Sequence, residues 1–474
     1  MMIELKNICY AYPGAHKGAG QLQGINLSIG QGECILLSGV SGCGKTTLTR
    51  VLNGLCPQFY EGVLTGEYRI GERDARRIPI HELGTIVGSV FQDPRSQFFA
   101  TNATDELVLG MENIPLAREE MHRRTAATIS LLEIERLMGR RIFPLSSGEK
   151  QRLAIASVCA MEPKVLVLDE PSANLDSEAI QHLSILLYRL KEKGCTIVLS
   201  EHRFSYVREL FDRLVFMENG KISSILSRDE ALSLTPEQLS TMGIRGFQEP
   251  KLKICGTALE QGDEVLRVQG ISCFRSGSQI LDDVSFHVQR GQILAVAGQN
   301  GAGKSTLCRA VTGLYRSQGA VENEGRFLRR KQRTKASFFV QQDADYQLYA
   351  PTVEEEFYIG YKSDPQRREK TQKALAAVGL WEYRERHPIS LSGGQKQRLL
   401  LALASVSGRR ILVFDEPTSG LDGHNMRLTA GILKELASKG NYVVLITHDM
   451  ELIDLVADSI LYLSGGKIVY HKKL

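Results

Sequence analysis

The sequence predicts two α/β domains of one design in tandem, each built on a mostly parallel sheet with helices against it. Three observations carry this. The chain has 474 residues, too many for one ordinary core and suited to two domains of somewhat over 200 residues each. It repeats itself once, with the same motifs in the same order. Within each copy, short apolar runs bounded by glycine alternate with segments of helical period.

The repeat is explicit. GVSGCGKTTL from Gly39 returns as GQNGAGKSTL from Gly298, LSSGEKQRL from Leu145 as LSGGQKQRL from Leu391, and VLVLDEPSANLD from Val165 as ILVFDEPTSGLD from Ile411. Lys45 and Lys304 are 259 residues apart, Gln92 and Gln342 250, and Asp169 and Asp415 246. Spacers drift while motif order is kept, as in two copies that differ in surface loops.

In order along each copy, an apolar run (residues 34 to 37; 293 to 296) reads as a buried strand. A glycine loop follows, then a helix with its apolar face at Leu48, Val51, Leu52 and Leu55, or at Leu307, Ala310, Val311 and Leu314. Further strands are expected at residues 165 to 168, 196 to 199, 411 to 414 and 442 to 446. From about residue 228 to 262 the chain turns polar, with Pro236, Gly243, Gly246 and Pro250 as breakers. This predicts a first domain over residues 1 to 240, a linker over 241 to 263 and a second domain over 264 to 474.

Bulk properties narrow the function. Hydrophobic residues make up 43% and charged residues 24%, a globular balance. A net charge of +4 gives no reason to invoke nucleic acid. Nine cysteines without a CxxC pair, Cys255 among them, fit a reducing compartment. The charged N-terminus does not read as a signal peptide, and no run approaches the roughly 18 apolar residues of a membrane span. Work at a membrane would need other chains.

GxxxxGK[ST] between a strand and a helix is a phosphate loop, and it occurs twice. Gly39, Gly42 and Gly44 let backbone N–H groups and the helix N-terminus face an anion, Lys45 reaches the terminal phosphates and Thr46 ligates Mg²⁺. Ser41 and Thr47 complete that loop. Gly298, Asn300, Gly301, Gly303, Lys304, Ser305 and Thr306 repeat it. Asp169 and Asp415, at strand ends, are placed to hold Mg²⁺, and Glu170 and Glu416 to polarise an attacking water.

LSSGEKQ and LSGGQKQ resemble the signature motif of ATP-binding-cassette (ABC) ATPases, and the motif order matches that family over nearly the whole chain. The resemblance implies P-loop NTPase domains of the ABC type, each adding an antiparallel β subdomain and a helical signature subdomain to the core sheet. It implies ATP and Mg²⁺ as cofactors, and an internal pseudo-dimer in which Lys45 pairs with Ser392, Gly393 and Gly394, and Lys304 with Ser146, Ser147 and Gly148. His202 and His448, each 33 residues after the strand-end aspartate, look like switch histidines. Gln92 and Gln342 resemble the Q-loop glutamine that touches Mg²⁺. The D-loops SANLD and TSGLD close on Asp176 and Asp422. Tyr12, with Tyr10 as the alternative, fits the adenine-stacking aromatic; in the second copy Arg275 aligns there, and the role falls to Phe274 or to the Arg275 guanidinium.

Two departures carry expectations. Ser147 and Glu149 replace the Gly and Gln of the second signature, adding a Cβ and a negative charge near an anion, so the Lys304 site is expected to be slower. Cys43, inside the first phosphate loop, is expected to be a small filler or an alkylation-sensitive thiol.

VFQDPRSQFFATNATDELVLGMEN resembles the region after the Q-loop in energy-coupling-factor (ECF) importers, where FQ[ND]PxxQ recurs. Gln97 is its second glutamine and Gln347 holds the matching place. The resemblance implies docking through residues 93 to 100 and 343 to 350 onto a transmembrane scaffold that works with a small substrate-binding membrane protein, at the cytoplasmic face of the cell membrane. A vitamin, a vitamin precursor or a metal ion would be the cargo. Tandem sugar-importer ATPases often lose one catalytic site, whereas Glu170 and Glu416 are both kept. Ribosome-acting tandem cassettes usually carry a long charged helical linker, unlike residues 228 to 262.

Overall fold

A computed structural model describes residues 1–14, 21–173, 175–254, 264–275, 277–360 and 366–474. Cys255, Asn174 of the first D-loop and residues 255 to 263 of the expected linker lie outside the described residues. The chain divides into two compact units, Met1–Gln248 with Asp422–His424, and Glu249–Leu421 with Asn425–Leu474.

The first unit has two sheets. β1 (Ile3–Ala11), β2 (Leu22–Ile29), β4 (Val63–Ile70) and β5 (Arg73–Asp74) form an antiparallel sheet in the order β2-β1-β4-β5. β3 (Cys34–Ser38), β6 (Val87–Val90), β7 (Val165–Asp169), β8 (Thr196–Ser200), β9 (Arg213–Glu218) and β10 (Lys221–Ser227) form the second, ordered β10-β9-β3-β8-β7-β6 and parallel except for the edge strand β10, which pairs antiparallel with β9. The central strands β3, β7 and β8 are buried at every position, as continuous apolar runs covered on both faces must be.

The second unit repeats this. β11 (Val265–Arg275), β12 (Ser278–Gln289), β14 (Gln318–Asn323) and β15 (Arg326–Phe327) give the antiparallel order β12-β11-β14-β15. β13 (Ile293–Ala297), β16 (Ser337–Val340), β17 (Ile411–Asp415), β18 (Tyr442–Ile446), β19 (Ser459–Ser464) and β20 (Lys467–Lys473) give β16-β17-β18-β13-β19-β20. The fold class is the expected one: two α/β domains, each a mostly parallel core with an antiparallel sheet and added helices. Each predicted core strand appears within a residue of its expected end.

Two expectations need correction. The helices after the phosphate loops are a turn shorter than their apolar pattern, spanning Lys45–Leu52 and Lys304–Val311. Gly54 and Gly313, both at φ 78°, break them, so Leu55 lies beyond the helix and Leu314 is exposed. The polar stretch after residue 228 is not simply interrupted. Ser227 and Thr235 cap two short helices, Arg228–Leu232 and Pro236–Met242, and Pro236 occupies the first turn, where its missing N–H costs nothing. Ile244 and Phe247, inside the expected linker, are buried in the first unit's core.

Candidate functional site

Each phosphate loop leaves a central strand and enters a helix N-terminus. Gly39 and Gly298 sit at φ 145° and 144°, and a Cβ there would lie 2.2 Å from Met217 O and 2.1 Å from Leu463 O. No other residue fits. Ser41 and Gly42, like Asn300 and Gly301, are exposed at the loop tip, while Lys45 and Lys304 are buried beneath it. The Lys45 ammonium donates to Gly39 O at 2.8 Å, and Lys304 to Gly298 O at 2.6 Å and Gln299 O at 2.9 Å. Both cations are thus held inside the loop by its own carbonyls. Thr47 is buried behind Lys45; Thr46, Ser305 and Thr306 are half-buried.

Asp169 and Asp415 end buried strands. Burial pushes both carboxyls above the usual range, with the Glu170 charge adding to the effect at Asp169. Asp169 Oδ1 is buried with no hydrogen-bond partner. Such an orphaned carboxylate oxygen near Lys45 is what a divalent cation satisfies, so the residues fit Mg²⁺. A cavity of about 500 Å³ joins Thr46 and Asp169 to Gln92, Asp93, Ser96 and Phe99.

Glu170 and Glu416 adopt φ 47° and 50°, a left-handed conformation uncommon for glutamate that costs on the order of 1 kcal/mol. The main chain enforces it: Glu170 N donates to Ser200 O at 2.8 Å and Glu416 N to Ile446 O at 2.9 Å. The sequence gives no sign of this turn. Burial acts to raise the Glu170 carboxyl, yet His202 and Lys45 outweigh it and hold the group below its ordinary value. His202 Nε2 lies 3.3 Å from Glu170 Oε1, and Gln92 Nε2 donates to Glu170 Oε2 at 2.7 Å. In the second copy His448 Nε2 lies 3.7 Å from Glu416 Oε1 and 3.0 Å from Lys304 Nζ. Since the ammonium only donates, that imidazole nitrogen is the acceptor. Each unit therefore gathers its lysine, strand-end carboxylates and histidine at one end of the sheet, with Gln92 joining them in the first. Gln342 is exposed on its loop, its carbonyl accepting from Gln397 Nε2 at 2.9 Å.

The signature serines are helix caps. Ser146 and Ser392 begin Ser147–Cys159 and Gly393–Ser405, each in a capping box with Glu149 or Gln395. Their hydroxyl oxygens accept from the backbone three residues on, leaving the hydroxyl proton to donate elsewhere. A Cβ at Gly148 would come 2.8 Å from the Ala179 Cβ, whereas Gly393 and Gly394 have more room, with nothing within 4 Å and Leu421 Cδ2 at 3.1 Å respectively. The Ser147 side chain is therefore no strain on its own fold. The Glu149 charge is also partnered: Arg140 Nη1 donates to Oε1 at 2.8 Å. The repulsion expected from Glu149 is thus reduced.

Cys43 is 3% exposed and burial pushes its thiol up, in keeping with the small filler expected there. Gln97 and Gln347 do not present their amides outward. Their Oε1 atoms accept from Phe91 N at 3.2 Å and Gln341 N at 3.0 Å, bracing the loop from within. Two buried glutamates missed in the sequence do the same: Glu106 accepts from Phe99 N and Ala100 N, and Glu356 from Tyr349 N and Ala350 N. Besides polar residues, each loop exposes an aromatic ring, Phe99 at 85% and Tyr349 at 75%. Phe274 is also exposed, while the Tyr12 ring meets Tyr10 edge-on at 4.9 Å and its hydroxyl accepts from Arg50 at 3.1 Å.

The class this fold and site define is a duplicated phosphate-loop ATPase. The sequence profile of the ABC transporter family matches residues 22–173 and 281–419, and the chain belongs to that family. A putative ABC transporter ATP-binding protein of Treponema denticola is 41% identical, the alignment covering 99% of this chain and 96% of that protein. The putative HMP/thiamine import ATP-binding protein YkoD of Bacillus subtilis is 30% identical over 99% of this chain and 91% of its own. Among solved structures, one of ribosome-bound archaeal Pelota and ABCE1 covers 98% of this chain and 78% of that chain at TM-score 0.69 and 19% identity, a likeness of fold. The protein is a tandem ABC ATPase, of a family that uses ATP with Mg²⁺ and typically partners transmembrane components. Among the described residues no helix is long and apolar enough to cross a membrane.

Proposed function

We propose that the chain is the ATPase subunit of an ECF-type importer of a vitamin, a vitamin precursor or a metal ion, acting at the cytoplasmic face of the membrane with a transmembrane scaffold and a small substrate-binding membrane protein. The observation that carries the reading is the loop after each Q-loop glutamine. The first copy has the FQ[ND]PxxQ pattern and the second keeps its Gln342, Asp343 and Gln347, and both have an internal glutamine brace, a buried glutamate and an outward aromatic. Beside the first lies a cavity of about 380 Å³ lined by Leu55, Ile80, Phe91, Phe99, Leu109 and Met161, suited to the apolar face of a partner helix. YkoD, related over its length, is named for import of HMP or thiamine.

In this reading Glu170 and Glu416 take the proton of the attacking water, and His202 and His448 orient it. Lys45 and Lys304 turn from their loop carbonyls to the phosphates. Thr46, Asp169 and Gln92, or Ser305, Asp415 and Gln342, hold Mg²⁺, which neutralises phosphate charge when bound. Ser146, Ser147 and Gly148, and Ser392, Gly393 and Gly394, complete the opposite copy's pocket, and Tyr12 and Phe274 take the adenines. The domain limits, 1 to 240 and 264 to 474 about a linker, belong to the same proposal.

Membrane flotation of the native complex tests it. The chain should float with its scaffold, and Phe99→Glu with Tyr349→Glu should release it while MgATP hydrolysis persists. Co-sedimentation with ribosomes in place of membranes, or a double variant that stays bound, refutes the importer reading.

A further inference from the structure

The two switch histidines are held by different chemistry. Before His202 stands Glu201, 2% exposed; before His448 stands Thr447. Glu201 Oε1 accepts from Ser172 N at 3.2 Å and from the Tyr206 hydroxyl at 2.8 Å. Its Oε2 accepts from His202 N at 2.7 Å and Arg203 N at 3.3 Å. A carboxylate offers about four lone-pair positions, and here four donors fill them. Ser172 lies two residues beyond Glu170, so one buried side chain ties the backbone of the histidine to the segment that follows the glutamate.

In the second copy two residues share that work. The Thr447 hydroxyl donates to Glu416 Oε2 at 3.2 Å and accepts from Asp449 N at 3.0 Å. Asp449 Oδ2 accepts from the hydroxyl of Thr418, the counterpart of Ser172, at 2.7 Å. Both copies thus fasten the histidine loop to the same point. One uses a carboxylate before the histidine, the other a carboxylate after it, and the remaining place is filled by Arg203 or Thr447.

We propose that Glu201 is a positioning residue for hydrolysis in the first copy, setting the spacing of His202 and Glu170 by clamping their two loops together, and that the Thr447–Asp449 pair is its interchangeable equivalent. The inference rests on the reading of Glu170 and His202 as the hydrolytic pair. Three of the four partners of Glu201 are backbone N–H groups, so an amide in its place sets its NH₂ against Ser172 N–H in one orientation and against both His202 N–H and Arg203 N–H in the other.

The test uses the full chain, with kcat, KM and Kd for MgATP measured together. Glu201→Thr should lower kcat about 10-fold with KM and Kd near wild type, the mark of misplaced reacting groups with intact binding. Adding Arg203→Asp, which transplants the second copy's arrangement, should restore most of the rate. Glu201→Gln, nearly isosteric, should reproduce the loss should the threonine variant fail to fold. Wild-type kcat in Glu201→Thr or Glu201→Gln, or a folded double variant no faster than the single one, overturns the proposal. His202→Ala separates the layers: if it keeps full activity the underlying reading falls, and if it is impaired while the Glu201 variants are not, only the clamp falls.

Discussion

The two halves share strand order, phosphate loop and signature cap, yet differ in what steadies the glutamate proposed to be catalytic. Glu170 is held by Gln92 and His202, with Glu201 clamping the loops behind it. Glu416 is held by the Thr447 hydroxyl, and His448 lies against Lys304. A duplicated site therefore keeps the backbone geometry of its reacting groups and lets the surrounding hydrogen bonds change. The left-handed turn at φ 47° and 50° is the constant feature.

The comparison breaks most sharply at the carboxylates. Replacing both, Glu170→Gln with Glu416→Gln, should cut ATP hydrolysis by about 10² or more, the usual worth of a positioned general base, with MgATP still bound. The single variants should be unequal. The Lys304 and Glu416 site is the one expected to be slower, so Glu170→Gln should remove the larger share of turnover; equal losses in steady-state assays would contradict the asymmetry.

A smaller effect sits at the signature. Arg140 is about half exposed, so its pair with Glu149 is worth at most about 1 kcal/mol, or roughly 5-fold in rate. Arg140→Ala should slow hydrolysis by that order, and Glu149→Gln in the same chain should cancel the loss. Persistence of the defect in the double variant would show that Arg140 acts otherwise.

The smallest effect is on stability. His471 faces His287 with ring centroids 5.5 Å apart, near Phe286 and Arg267; the first copy has Ile225 and Ser28 at these places. Burial and the His287 charge bring His471 from 6.5 down to about 4. The unfolded chain then binds more protons between these values, so the stability of the second unit falls as pH drops from about 6.5 towards 4. His471→Ile should flatten that slope in acid unfolding, and an unchanged slope would assign it to other groups.

Much of this was legible beforehand because it depends on residues with few substitutes. Glycine at 39 and 298 is demanded by carbonyls about 2 Å from a missing Cβ, and apolar runs of five residues buried on both faces have no other reading. What stayed hidden depends on tertiary approach. Glu201, Glu106 and Glu356 look like surface charges in the sequence, and only the folded chain brings N–H donors to them. Gln97 and Gln347 were noticed for their spacing, but their direction is fixed by the turn that they close. Leu55 and Leu314 continue a helical period past a glycine that ends the helix, so pattern alone overran it.

The central claim is that the chain carries two nucleotide sites, one at each phosphate loop. The most direct measurement is the number of MgATP molecules bound per chain in the Glu170→Gln, Glu416→Gln protein, by equilibrium dialysis at saturating nucleotide. The account predicts two, falling to one with Lys45→Ala or Lys304→Ala; a single bound nucleotide in the parent, or none, would contradict it.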